Sequence, residues 1–231
     1  RVGTMLHLYL QAPFAAFRTF TAGSFRPTTG FITPSAAYGL LLNVAGIEMR
    51  QDDGKLAMTL IRPDLPHCRL AIGALAFPTQ HSVLQQLHNY PVGGSFKDHA
   101  PATKGSKYNI APVRRSFLSD LRAYICMDGN DELERQVDAG LRGEVPRAYG
   151  LPFLGDNNFL LDRLQPVQEL RPAHWYERVT AEDGQRMREG VTRLTITIDR
   201  ADMSRTRSAL FAPTPQRTRE IPQGAWVEVG Y

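Results

Sequence analysis

The feature that most constrains the fold is a helix whose start and stop are both written into residues 33–46, Thr-Pro-Ser-Ala-Ala-Tyr-Gly-Leu-Leu-Leu-Asn-Val-Ala-Gly. Thr33 can accept a backbone N–H as the capping residue, and Pro34 suits the first helical position, where its missing N–H costs nothing. Gly46 supplies the left-handed residue that ends the helix. Tyr38, Leu41, Leu42 and Ala45 recur at i, i+3, i+4 and i+7, so one apolar face must pack against something. Gly39 inside the helix costs about 1 kcal/mol relative to Ala, which predicts that another backbone passes close by. Alone, these residues describe an ordinary core helix.

The surrounding chain predicts mixed structure. Residues 5–11 alternate, with Leu6, Leu8 and Leu10 against His7, Tyr9 and Gln11, as in a half-buried strand. After the helix, residues 47–50 read as a strand, Gln51-Asp52-Asp53-Gly54 as a hairpin turn, and residues 55–62 as the return strand. Residues 69–77 are apolar on both faces and predict a central strand. A short helical run is expected over 82–88, strands over 121–127, 193–199 and 225–231, and a helix capped by Asn130 and ended by Gly143. Residues 91–115 carry Lys97, Lys104, Lys107, Arg114 and Arg115 against the single acid Asp98, with little apolar periodicity. Such a stretch cannot fold on itself by burial and predicts an excursion ordered by something acidic. Arg200, Arg205, Arg207, Arg217 and Arg219 face only Asp202 and Glu220 over 200–220, which reads as a second basic surface or a solvated loop.

Composition excludes several classes. With 231 residues, 42 % hydrophobic and 22 % charged, the chain can bury a real core. There is no run of about 18 apolar residues and no signal-peptide pattern. Cys68 and Cys126 lack ligand-like spacing and read as buried free thiols, so a cytoplasmic location is expected. The six histidines are scattered without a paired spacing, so neither a metal nor a cofactor is expected. No Gly-x-x-x-x-Gly-Lys loop or Gly-x-Ser-x-Gly elbow supports nucleotide hydrolysis or serine chemistry. A net charge of +4 permits a nucleic-acid partner.

Three pieces in order resemble one family. They are the strand running into Ala-Pro-Phe-Ala-Ala-Phe-Arg at 12–18, the polar segment with Arg26, Thr28 and Thr29, and the Pro34-Ser35 helix ending Gly-Leu-Leu-x-x-x-x-Gly-Ile. They are similar to the amino-terminal signature of the RAMP-superfamily subunit that caps the 5′ end of CRISPR RNA in type I Cascade complexes, the CRISPR-associated family five. Residues 152–158, Pro-Phe-Leu-Gly-Asp-Asn-Asn, resemble a segment of its type I-B branch. The resemblance covers roughly residues 4–162. It implies an α+β fold with a ferredoxin-like (RRM-like) core over 1–162, a basic thumb hairpin inserted at about 78–115, and a less regular carboxy-terminal part over 163–231 packed on the core.

The function so implied is a non-catalytic subunit that holds the 5′ handle and caps the backbone filament. Its partners would be CRISPR RNA, the Cascade backbone subunit, the large subunit and target DNA near the PAM, with no membrane. Single-stranded RNA is held by cations on phosphates and by flat side chains under bases. Candidate cations are Arg18, Arg26, Lys104, Lys107, Arg114 and Arg115; candidate platforms are Phe17 and Tyr108; Ser35 and the first N–H groups of the Pro34 helix could take a phosphate. One branch of the family, in type I-C systems, is a metal-independent endoribonuclease using Tyr, Lys and His. Tyr38, Lys104 and His99 supply those types here, but the adjacent Lys-His pair of that branch is absent. A generic RRM-like RNA-binding protein is the third class.

Overall fold

The structure, a computed structural model, describes residues 5–19, 25–52, 54, 59–88, 110–146, 150–180 and 188–231. Strand β1 (Leu6–Ala15) begins the order, followed by the two-residue β2 (Phe25–Arg26) and helix α1 (Pro34–Val44). The Thr33 side chain accepts the Ala36 N–H at 3.1 Å, and Gly46 adopts a φ of +73° just past the helix, so both ends form as their residues dictate. Ala37, Tyr38, Leu41 and Leu42 are at most 1 % exposed.

Next come β3 (Arg50–Gln51) and β4 (Leu60–Ile61), an antiparallel pair much shorter than the strands expected over 47–50 and 55–62; residues 53 and 55–58 of the expected hairpin lie outside the described residues. Then follow β5 (Cys68–Ala76), β6 (Thr79–His88), β7 (Ile110–Asp128) and helix α2 (Asp131–Leu141), which Asn130 caps by accepting the Leu133 N–H at 2.9 Å. The remaining strands are β8 (Arg163–Pro166), β9 (His174–Arg178), β10 (Thr192–Thr197), β11 (Arg207–Pro213) and β12 (Val227–Val229).

The centre of the sheet runs β8-β1-β7-β5, every neighbour antiparallel, with α1 between β1 and β5 in sequence and α2 between β7 and β8. Beyond β5 the sheet continues as β9-β11-β10, and β12 pairs with the other half of the same β5 edge. The segment expected as a less regular carboxy-terminal part packed on the core lends β8 and four further strands to this one sheet. Leu8, Leu10, Ile125 and Leu121 face the helices and are fully buried. On the opposite face Tyr124, Cys126 and Trp175 form a second, smaller core with Ala173 and Ala225. Loops 167–173 and 214–225 cover it, and the Trp175 indole donates to the Thr218 carbonyl at 3.0 Å.

Three expectations change. Residues 82–88 are part of strand β6, not a helix; β6 and the first half of β7 form an antiparallel ribbon in which only one neighbour imposes a period, and propensity alone misreads it. The strand expected over 121–127 is the inner half of β7, which passes unbroken into the ribbon through Asp120, a residue with φ of 56°. Among the described residues a Cβ on Gly39 would meet only the Met49 sulfur, at 3.5 Å, and no backbone approaches there. The close approach is at Gly140 on α2, where a Cβ would overlap the Val44 carbonyl at the end of α1. Among the described residues no helix is long and apolar enough to cross a membrane.

Candidate nucleic-acid interface

Where β1 ends, the polar residues of the following segment are engaged in holding the chain. The Phe17 N–H donates to Thr28 Oγ1 at 2.8 Å, the Thr29 N–H to the Phe17 carbonyl at 2.9 Å, and the Thr29 hydroxyl to the Phe31 carbonyl at 2.7 Å. This lacing buries Thr28 and Thr29 and turns Arg18 out into solvent. Ser35 follows the cap, its hydroxyl 3.0 Å from that of Thr33.

Arg18 and Ser35 open onto a cleft of 1040 Å³ along the outer side of α1, whose other walls include Asn43, Arg50, Phe153 and Arg200. One wall is the loop 150–159. The Ala16 N–H donates to the Leu154 carbonyl at 3.0 Å, Leu154 is 1 % exposed, and Asn43 Nδ2 donates to the Gly150 carbonyl at 3.2 Å. The loop is knotted on itself by Leu154 N–H to the Phe159 carbonyl and by the Asn158 N–H on Asp156 Oδ1, both at 2.9 Å. Among the described residues three guanidinium groups thus border the cleft against one carboxylate, Glu48, which accepts the Arg50 N–H at 2.8 Å.

The ribbon rises beside this loop. β2 lies parallel to β7, with Phe25 level with Arg114 and Arg26 level with Arg115. Successive residues of a strand point to opposite faces, so Arg114 and Arg115 diverge. Arg115 forms an ion pair with Asp156 and lies 5.7 Å from the centre of the Phe159 ring. Burial pushes the Asp156 carboxyl up, but the Asn158 N–H and the charges of Arg115 and Arg18 outweigh it and hold it below its ordinary range. Arg114 is exposed, and among the described residues no carboxylate lies within ion-pair distance of Arg18, Arg26 or Arg114. On the Arg115 face, Phe117 stacks against His81 at 5.3 Å and meets Phe14 edge-on at 5.6 Å, with Phe159 behind both at 6.2 and 6.0 Å.

The residues expected from the sequence therefore separate. Arg18 and Ser35 share the cleft, and Arg26, Arg114 and Arg115 gather midway along the ribbon. Phe17 is a correction: its ring is 3 % exposed in the main core and offers no face to a base. Tyr38 is 1 % exposed and donates its hydroxyl to the Pro66 carbonyl at 2.6 Å; burial raises its pKa far above the usual tyrosine value. His99, Lys104, Lys107 and Tyr108 lie outside the described residues. Among the described residues no group of three or more His, Cys, Asp or Glu side chains could hold a metal. Phe14, His81 and Phe117 were not among the residues expected from the sequence. Their signal is faint, because three rings spread over a hundred positions meet only through strand pairing.

The likeness to known proteins agrees with this architecture. The fold is similar to a chain of a CRISPR RNA-guided surveillance complex, with a TM-score of 0.59 and 12 % identity over 96 % of each chain. It is also similar to a crystal structure of a Cas protein, with a TM-score of 0.50 and 16 % identity over 96 % of this chain and 100 % of that one. No curated protein matches the chain significantly. The family model described as CRISPR-associated protein (Cas_Cas5) matches residues 5–186, well over half the chain, and so the protein belongs to the Cas5 family of CRISPR-associated proteins.

Proposed function

We propose that this protein is a non-catalytic subunit of a type I Cascade-like surveillance complex and that it holds the 5′ handle of CRISPR RNA. The observation that carries the reading is the group Arg18, Arg26 and Arg114. These are guanidinium groups with no carboxylate within ion-pair distance among the described residues, set around the mouth of the cleft and midway along the ribbon, in a member of the Cas5 family. Cations without acidic partners are what a phosphodiester strand requires, and Ser35 at the start of α1 adds a donor at the cleft wall. Lys104, Lys107 and Tyr108 would extend the same clamp along the thumb.

The antiparallel order β8-β1-β7-β5, with one helix after the first strand and one after the third, supports a ferredoxin-like core. The docked Pro152–Asn158 segment supports a type I-B-like assignment by its sequence. The partners would be the backbone and large subunits and target DNA near the PAM, with target sequence read by base pairing. Two facts favour this reading over its competitors. Tyr38, the tyrosine that the endoribonuclease reading would use, is buried and hydrogen-bonded. The sheet face that an RRM-like protein would show to RNA is covered around Tyr124 and Trp175.

The test is binding of a single-stranded repeat RNA carrying the handle, in EDTA, read both as fluorescence anisotropy and as intact length on a gel. Wild-type protein is expected to bind without cleaving, and Arg18→Gln with Arg26→Gln to weaken binding. Cleavage at one position, abolished by Tyr38→Phe, would overturn the non-catalytic assignment, and absence of any binding would overturn the RNA reading.

A further inference from the structure

Phe14 sits where β1 runs past the end of the core. Its strand-mates Leu8, Leu10 and Ala12, on the same face, are at most 1 % exposed, whereas Phe14 is 44 % exposed. It is level with Ser119, and Phe117 follows two residues along the same face of β7. His81 lies level with Phe117 across the ribbon, its ring within 24° of parallel, and its Nε2 is 2.8 Å from Ser119 Oγ, which fixes the imidazole plane. A single exposed ring needs no explanation, but a set of rings locked in mutual contact with one side to solvent does.

The charge around the rings selects the occupant. The nearest acids along the strand and loop, Asp120 and Asp156, are already held by Arg122 and Arg115. Arg26 shares the ring face through its level position with Arg115, and Arg18 is close enough to Asp156 to act on its carboxyl. The surroundings are thus cationic. They repel a basic peptide, and they suit a ligand with a flat π-face joined to an anion.

We propose that Phe14, His81 and Phe117 form a stacking platform for one unpaired nucleobase of bound RNA, with Arg26 taking an adjoining phosphate. The inference rests on the reading of the protein as an RNA-holding subunit and adds to it a base site separate from the cleft. Stacking is tolerant of base identity, so the platform fixes the path of the strand rather than its sequence.

The experiment places 2-aminopurine at each position in turn along the single-stranded handle RNA and follows its fluorescence on binding to the full chain. One position is expected to be quenched by stacking. Phe14→Ala and His81→Ala are expected to remove that quenching and to weaken binding by roughly five- to a hundred-fold without changing the salt dependence. Phe14→Tyr, which keeps the ring, should retain both, and thermal melts confirm that each variant is folded. Folded alanine variants with wild-type affinity and quenching would overturn the platform while leaving RNA binding intact. Failure of the wild-type protein to bind RNA at all would instead overturn the functional reading beneath it. Loss of association with another protein subunit, with RNA binding unchanged, would reassign the rings to a protein contact and also overturn the proposal.

Discussion

Gly155 lies against Ala16 so closely that a Cβ on it would fall inside the van der Waals radius of the Ala16 carbonyl oxygen. Its φ is +78°, in the region that side chains disfavour. Beside it, the Ala16 N–H and the Leu154 carbonyl make the 3.0 Å hydrogen bond that seats loop 150–159 on the end of β1. Gly155→Ala must therefore bear both the left-handed backbone, about 1–2 kcal/mol, and a collision with a backbone atom that cannot rotate away. We expect a loss of more than about 2 kcal/mol, measured by urea denaturation. Unchanged stability would mean that the loop can leave β1 without cost.

The same loop carries a pH-dependent anchor. Asp156 is held below its ordinary range in the folded chain, so its pairing with Arg115 contributes stability fully above its unfolded value of about 3.9. That contribution is lost as pH falls through the lower folded value. Asp156→Asn is expected to destabilise by about 1–3 kcal/mol at pH 7, less than the ~3–5 kcal/mol for breaking a fully buried pair. The wild-type and variant unfolding midpoints should converge in acid. A difference that did not shrink as pH falls would point to lost packing rather than lost charge.

The sequence was most legible where one local rule acts alone. Thr33 and Asn130 both cap as their side-chain chemistry dictates, and the strand expected over 193–199 is largely realised as β10, whose Leu194 and Ile196 meet a core, although Thr195 and Thr197 opposite them are buried too. It was least legible along β6, whose Thr-Gln-His-Ser-Val-Leu-Gln-Gln-Leu-His is exposed over 79–86, so that no buried face writes a period. Phe17 failed as a platform for a related reason. Its position beside Arg18 suggested a surface, but the Thr28 and Thr29 hydrogen bonds that turn Arg18 outward turn Phe17 in. The ring cluster of Phe14, His81 and Phe117 depends on pairing between distant strands, and no local pattern encodes it.

Glu134 is a buried acid on α2 that pairs with no cation among the described residues. Burial is the main cause, with Asp131 and Asp128 adding to it, of a pKa raised to about 7. Its place in the first turn favours its charge by only about 0.3–1 kcal/mol, too little to offset this. Because the folded value lies above the unfolded one, about 4.3, the folded state binds the proton more tightly. Stability should fall as pH rises from about 4.3 to about 7 and then level off. Glu134→Gln is expected to be more stable than wild type at pH 8 by about 1–3 kcal/mol and equal to it at pH 4. A variant less stable at pH 8 would show that the carboxylate has a favourable partner there.

Arg114 and Arg115 are adjacent but should do different work. Arg114 is exposed, pairs with no acid among the described residues and stands level with Leu84 and Phe25. Arg115 is tied to Asp156 on the other face. A phosphate contact on single-stranded RNA releases about 0.7 counterions, so Arg114→Ala should flatten the slope of log affinity against log salt by about 0.7 if it clamps the strand. It should change stability by less than about 0.5 kcal/mol, as surface substitutions do. Arg115→Ala should show the reverse, with a loss of stability comparable to that of Asp156→Asn and a salt slope close to wild type. Measuring both slopes on the same RNA separates the roles. Equal flattening by the two substitutions would mean that the Arg115–Asp156 pair opens when RNA binds. The loop that Asp156 anchors would then move with the strand rather than wait for it.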